Sequence, residues 1–485
     1  MKHTRRSSPK DGTGSRQKNR VIFTANHAIV LCMTYLLKDL AARLAAGTLS
    51  ARTLVEDCLA AIDDPHGEGA RAFIEIYHDR IRSQADAVDL ARRNGWPLPP
   101  FAGIPLSIKD LFDEAGTVTR AGSKVLAGAP PATADATVLA RLKAAGFLVI
   151  GRTNMTEFAF SGLGTNAHYG DARSPFERDP HDILTGRVAG GSSSGSAVSI
   201  SDAMAPATIG SDTGGSTRAP AAFCGIVGMK PTATRMPAAG IYPLSTSFDA
   251  AGPMANSVSC TAILDSLMAG GNGGDEAPFA VKGLRLAMPK GYLFEDLDPH
   301  VARCFDAAID RLSAAGANIV DVTIVDIESL RPSNNTKSIV AAEAYQLHKA
   351  RLEAGLGKDY DPLIAFRLEG GKDILASDYI EMFATRERVW AAVQAAVRGY
   401  DALVLPTSPA LPPPLASLVD IEAKTVINAR CLRNTAVSNY LDRPTITVPC
   451  HPAGSAPVGL SMIGSRQHDR RLLAIAAGCE RIIRG

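Results

Sequence analysis

The sequence predicts an α/β fold in which a large, mostly buried sheet carries helices on both faces. Short apolar runs rich in β-branched residues alternate with helical patterns from residue 33 to the C-terminus. Several of those runs are apolar throughout instead of alternating, as strands are when helices cover both sides of the sheet. The composition agrees, because 46% hydrophobic and 21% charged residues in a chain of 485 describe a globular protein with an extensive core.

The strands expected are FIEIY (73–77), GIPLSIKD (103–110), FLVIGR (147–152), ATIGS (207–211), GIVGMK (225–230), LRLAMP (284–289), ANIVDV (317–322), DALVLP (401–406) and TITVP (445–449). MTYLLKDLAARLAAGTLSARTLVEDCLAAI (33–62) reads as two amphipathic helices parted at Gly47, with Ser50 capping the second. Further helices are expected near 80–94, 136–146, 195–204, 299–315, 378–399 and 469–482. LPTSPALPPPLAS (405–417) is the strongest loop signal, and strand-like apolar sequence is expected to resume after it.

Charge divides the chain. The first 20 residues hold seven Lys or Arg against Asp11 alone, and removing them leaves 44 basic and 48 acidic residues. The near-neutral body gives no footprint for nucleic acid. Residues 1–32 read as a basic, disordered extension ahead of a single domain spanning 33–485, with Met33 a candidate start. AIVLCMTYLL (28–37) is too short, and runs too directly into a charged helix, for a secretory signal. No unbroken apolar run reaches membrane-spanning length. The eight cysteines, at 32, 58, 224, 260, 304, 431, 450 and 479, form no C-x-x-C and no close pairing with histidine. Reduced thiols in a cytoplasmic protein without metal or organic cofactor fit that scatter best.

Chemistry concentrates in GGSSSGSAVSISDAMAPATIGSDTGGSTRAP (190–220). A phosphate loop needs Lys after its second glycine, and residues 186–220 contain none; at GIVGMKPT, Pro231 stands where a helix would start. Residues 191–195 match G-x-S-x-G, which would make Ser193 the nucleophile of an α/β-hydrolase-type esterase. That motif needs a buried strand upstream, and HDILTGRVAG is a poor one. Its histidine would have to be His300, His348, His451 or His468, none in a distinctive context. This reading ranks last.

SDTGGSTR (211–218) offers more. Gly214 and Gly215 bare the backbone, so the N–H groups of Thr213, Gly214, Gly215 and Ser216 could converge on one oxygen beside the Ser216 hydroxyl. The base can be a lysine if burial keeps it neutral. Lys109, closing the apolar strand GIPLSIKD, fits. Asp110 would raise a lysine pKa by contact, so it is expected to point elsewhere.

In these residues the chain resembles the amidase signature family. GIPLSIKD, GGSSSGS and GSDTGGSTRAPAAFCGIVGMKPT stand in the family's order, and the similarity extends over roughly residues 35–482. The resemblance implies a single large mixed sheet and a Ser-cisSer-Lys set. Ser216 would be the acylated nucleophile, Ser192 the bridging serine on a cis peptide, and Lys109 the base. It also places Ala159, Phe160 and Gly162, in NMTEFAFSGLGTN (154–166), at the acyl pocket. Asp212 and Arg218 are expected as a buried pair bracing the nucleophile turn. Ser193 and Ser194 are expected as loop hydrogen-bonders, and His168 and Tyr169 as structural. Thr407 and Ser408 are candidates to approach the site from the C-terminal half.

The implied activity is hydrolysis of a small-molecule carboxamide through a seryl acyl-enzyme, releasing ammonia or an amine, with a homodimer left open. The alternative is the glutaminase subunit of a tRNA-dependent amidotransferase. At NNTKSIVAAEAYQLHKARLE (334–353) the chain departs from that alternative, because a Tyr-Gly-Arg-bearing segment would stand there.

Overall fold

The computed structural model describes residues 35–182, 185–274, 277–324, 327–331 and 337–485; the extension expected at 1–32 and the start at Met33 lie outside them. Eleven strands form one mixed sheet: β1 (Phe73–Ile76), β2 (Pro105–Lys109), β3 (Leu148–Thr153), β4 (Ala207–Asp212), β5 (Val227–Lys230), β6 (Ala250–Ala255), β7 (Arg285–Pro289), β8 (Asn318–Val322), β9 (Ala402–Pro406), β10 (Thr445–Pro449) and β11 (Gly459–Ile463). Their order is β1-β3-β2-β4-β6-β5-β10-β11-β9-β7-β8. β2 runs parallel to both β3 and β4, and β7 to both β8 and β9; the remaining pairings are antiparallel.

All nine expected strands are present. The two the sequence hides, β6 and β11, lack β-branched residues almost entirely. β6 (AAGPMA) carries Pro253 in a central strand, where a missing N–H normally excludes proline. β5 pairs only with Met254 and Ala255, so Pro253 has a strand partner, Ile209 of β4, on one side alone.

Strand alternation assigns the two helical layers. Val227 and Met229 point into a core shared with Val258 and Leu472, from the helices Val258–Met268 and Asp469–Arg484. Gly228 points the other way, where a β-carbon would strike Ala221 of the helix Arg218–Cys224. On β2 the same rule turns Leu106 and Ile108 into the main core and sets Ser107 against Ser199 of the helix Ser194–Ser201. Lys109 therefore belongs to the face that this serine-rich helix covers.

Ser50 caps its helix as expected, accepting from Thr53 N–H at 2.9 Å. The loop at 405–417 begins inside β9. Beyond it the chain is helical, Ile421–Leu432 and Thr435–Tyr440, before β10 begins. The seven described cysteines are buried and unpaired by disulfides. Among the described residues no helix is long and apolar enough to cross a membrane.

Candidate active site

Parallel pairing of β2 with β4, Ile108 opposite Ile209, brings the C-terminal ends of both strands out at one edge. β2 delivers Lys109 there, and β4 delivers Ser211 and Asp212. Lys109 is fully buried, and its Nζ donates to Ser192 Oγ at 2.7 Å and to Ser211 Oγ at 2.8 Å. Burial pulls its pKa down from 10.5 to about 7, against the opposing pull of Asp212 and Asp249. Near neutral pH a large share of this amine is uncharged.

Ser192 follows a cis Gly191–Ser192 peptide bond. Its carbonyl accepts from Thr156 N–H at 3.1 Å, and the next N–H, that of Ser193, donates to the Ser216 carbonyl at 3.3 Å. The Ser216 main chain is thus tied to the residue adjoining Ser192.

The turn carrying Ser216 is closed by Asp212. Its Oδ1 accepts from Gly215 N–H at 2.9 Å, and its Oδ2 from Thr217 N–H at 3.0 Å and the Thr217 hydroxyl at 2.8 Å. Arg218 adds a two-pronged pair, Nε to Oδ2 at 3.0 Å and Nη2 to Oδ1 at 2.8 Å. Burial would raise the Asp212 pKa; Arg218 and these hydrogen bonds outweigh it and hold the carboxyl well below the usual range. Arg218 also donates to Thr435 O, Ser438 Oγ and Asn439 Oδ1, which engages the guanidinium in bracing the turn.

One expectation needs correction. Gly215 N–H is turned onto Asp212, so it is not available to an oxyanion. Among the described residues the N–H groups of Thr213, Gly214 and Ser216 make no hydrogen bond. The side chain of Thr213 is held by Asp249, Oγ1 to Oδ1 at 2.5 Å. Asp249 in turn accepts from Leu244 and Ser245 N–H, and desolvation lifts its pKa to about 6.

Other candidates divide. Asp110 points away from Lys109, accepting from Arg152 Nε at 2.6 Å and Gly122 N–H at 3.0 Å. Ser193 donates to Ser211 O, while His300, His348 and His451 bond Ala456 O, the Tyr360 hydroxyl and Val458; none meets Ser193. The Ser194 hydroxyl, expected to bond within the loop, is buried without a partner. Thr407 is not brought to the site: its hydroxyl sits among Thr447 and Ser461 on the sheet. Ser408 accepts from Ala410 N–H in its own loop.

The segment 157–160 is anchored through Glu157, which alternation and motif reading both overlooked. Its carboxylate receives the Ser123 hydroxyl, Asp361 N–H and His168 Nε2, the last at 2.7 Å. Phe158 and Ala159 then adopt left-handed backbone, φ 50° and 62°, which non-glycine residues rarely do. Gly162 N–H donates to Asn428 Oδ1 at 2.7 Å, joining this segment to the helix Ile421–Leu432.

The amidase family model matches residues 53–473. The chain is 34% identical over 459 residues to 2-amino-5-chloromuconic acid deaminase of Comamonas testosteroni, covering 92% of this chain and 96% of that protein. It is 32% identical to the A subunit of the glutamyl-tRNA(Gln) amidotransferase of Chloroflexus aggregans, over 90% of this chain and 94% of that protein. A crystal structure of an amidase superimposes with TM-score 0.81 at 31% identity, covering 91% of this chain and 98% of that one. The chain belongs to the amidase family and is a hydrolase of amide carbon–nitrogen bonds.

Proposed function

We propose that Lys109, Ser192 and Ser216 form the proton path of this hydrolase, with Ser216 as nucleophile. The observation that carries the reading is the buried amine of Lys109, 2.7 Å from Ser192 Oγ and with a pKa drawn down to about 7. As Ser216 Oγ bonds to the amide carbon, its proton passes to Ser192 Oγ, and the Ser192 proton passes to Lys109 Nζ. The tetrahedral oxygen is held by the unbonded N–H groups of Thr213, Gly214 and Ser216. When the C–N bond breaks, the proton returns through Ser192 to the departing nitrogen. Water then attacks the acyl-enzyme, gives its proton to the same relay, and releases Ser216 as the hydroxyl.

The substrate class is a small carboxamide. Incubation with a serine-directed fluorophosphonate, followed by peptide mass spectrometry, tests the assignment. An adduct on Ser216 that Ser216→Ala abolishes is expected, and an adduct on another side chain overturns it.

A second reading rests on the near full-length similarity to the glutaminase component of an amidotransferase. In it the chain is the glutaminase of a complex. Turnover of simple amides by the purified chain, without stimulation by added partner proteins, separates the two.

A further inference from the structure

The Thr213 hydroxyl donates to Asp249, so the turn that carries Ser216 is tied to a loop 36 residues away in sequence. That loop, residues 244–249, is closed on itself. Asp249 Oδ2 accepts from Leu244 N–H at 2.8 Å and Ser245 N–H at 3.0 Å, and Asp249 N–H donates to the Ser245 carbonyl at 2.9 Å. Ser245 and Asp249 are thereby locked to each other.

Glu343, on the helix Ile339–Glu353, holds the other side of the loop. Its carboxylate accepts from the Ser245 hydroxyl, the Ser247 hydroxyl and Ser247 N–H, the last at 3.1 Å. A fourth donor is the Tyr379 hydroxyl at 2.8 Å, from the helix Ala376–Ala396. Desolvation would raise the Glu343 pKa; these four donors outweigh it and hold the carboxyl below its usual range. Hydrogen bonds to an ionised acceptor are the strong kind, and here one anion gathers four of them.

The loop also meets the helices that wall a cavity of about 400 Å³. The Phe248 ring lies 4.5 Å from the Arg386 guanidinium carbon and 6.0 Å from the Tyr440 ring. Tyr440 and Met382 line that cavity with Arg367 of the helix Pro362–Glu369 and with Asn428 and Leu432 of Ile421–Leu432. Leu432 borders the nucleophile turn, since a β-carbon at Gly215 would lie 3.2 Å from its Cδ2. Residues 244–249 thus join the cavity helices to the turn.

We propose that Glu343 is a positioning residue for the hydrolysis, fixing through Ser245 and Asp249 the Thr213 N–H that meets the tetrahedral oxygen. This rests on the reading of Ser216 as nucleophile and of the turn as oxyanion donor. Three hydrogen bonds in series separate Glu343 from Thr213: Glu343 to Ser245, Ser245 to Asp249, Asp249 to Thr213. A donor aimed at the charged oxygen acts in the transition state more than on the bound amide, so its misplacement lowers kcat and spares KM.

The test measures kcat and KM of wild type and variants on butyramide, hexanamide and benzamide. Outright loss of an oxyanion donor costs about 10²–10³-fold in kcat, so a loosened one in Glu343→Ala should cost about tenfold, with KM nearly unchanged. Glu343→Gln, which keeps one oxygen for the serines, should recover part of the loss. Thr213→Val cuts the link to Asp249 and keeps the N–H. In that background Glu343→Ala should cost at most about twofold more, because both changes break one series of bonds. A full further tenfold loss, a loss carried by KM alone, or an unaltered kcat in Glu343→Ala overturns the proposal. If Glu343→Ala does not fold, Ser245→Ala takes its place in the same cycle, since it removes only the hydroxyl bonded to Glu343. If wild type turns over no amide, the hydrolase reading fails instead. Amide hydrogen exchange then still decides: faster exchange across 211–218 but not in β7 supports the positioning role, and exchange unchanged or raised throughout refutes it.

Discussion

Lys109 Nζ is held almost equally by two hydroxyls, Ser192 at 2.7 Å and Ser211 at 2.8 Å. Ser192 is the bridging group of the proposed proton path. Ser211, from the adjacent strand end, fixes the amine from the other side. Ser211→Ala should leave the fold intact, lower kcat about tenfold through a less fixed base, and retain an acyl adduct at Ser216. Steady-state rates beside a circular dichroism spectrum check this. A variant with unaltered kcat would leave Ser211 as scaffold only.

Lys109→Ala should reduce kcat/KM by about 10²–10⁴-fold, the usual range for loss of a positioned base. Far-ultraviolet circular dichroism should be unchanged. Retained turnover would remove Lys109 from the chemistry.

The pH profile derives from the same amine. On the proposed path Lys109 acts uncharged, so kcat/KM should rise through an apparent pKa of about 7 as the proton leaves. The Asp249 charge raises the Lys109 pKa, so Asp249→Asn should shift that limb to lower pH. A shift to higher pH would show that Asp249 acts otherwise.

Arg218→Ala should destabilise the protein by about 3–5 kcal/mol, because Asp212 is left buried without its partner. Arg218→Lys should recover little, since a single ammonium cannot reproduce the fork that meets both oxygens of Asp212. Denaturant titration of both variants measures this.

The two glycines of the turn should part company. Gly215 has φ of 130°, and a β-carbon there would strike Thr435, so Gly215→Ala should lower both Tm and kcat. At Gly214 a β-carbon meets nothing within 4 Å, so Gly214→Ala should keep its Tm. Equal losses in Tm would contradict the described turn.

Strands whose apolar, branched residues recur within a few positions were readable from the chain, and so was the buried pair of Asp212 and Arg218 within SDTGGSTR. Whatever depends on which strands become neighbours was not. Ser211 lies 102 residues from Lys109 in sequence, and only the β2–β4 pairing makes them partners. Glu157 and Asp249 escaped for the same reason, because each takes its meaning from a segment farther along the chain. Gly215 shows the converse limit: bare backbone was visible, but the direction of its N–H was set by the carboxylate of Asp212.

Because β2 and β4 are joined by the sheet's own ladder, Lys109 and the turn that carries Ser216 share one rigid frame, while the helices Pro362–Glu369 and Ile421–Leu432 stand outside it. Under the proposed proton path, the reacting groups and the helices that wall the neighbouring cavity therefore belong to different parts of the molecule. Exchange of the helical segment 339–369, Glu343 kept, for that of a relative should alter substrate preference while leaving bond cleavage to the inherited sheet, which gives engineers a natural seam along which to graft.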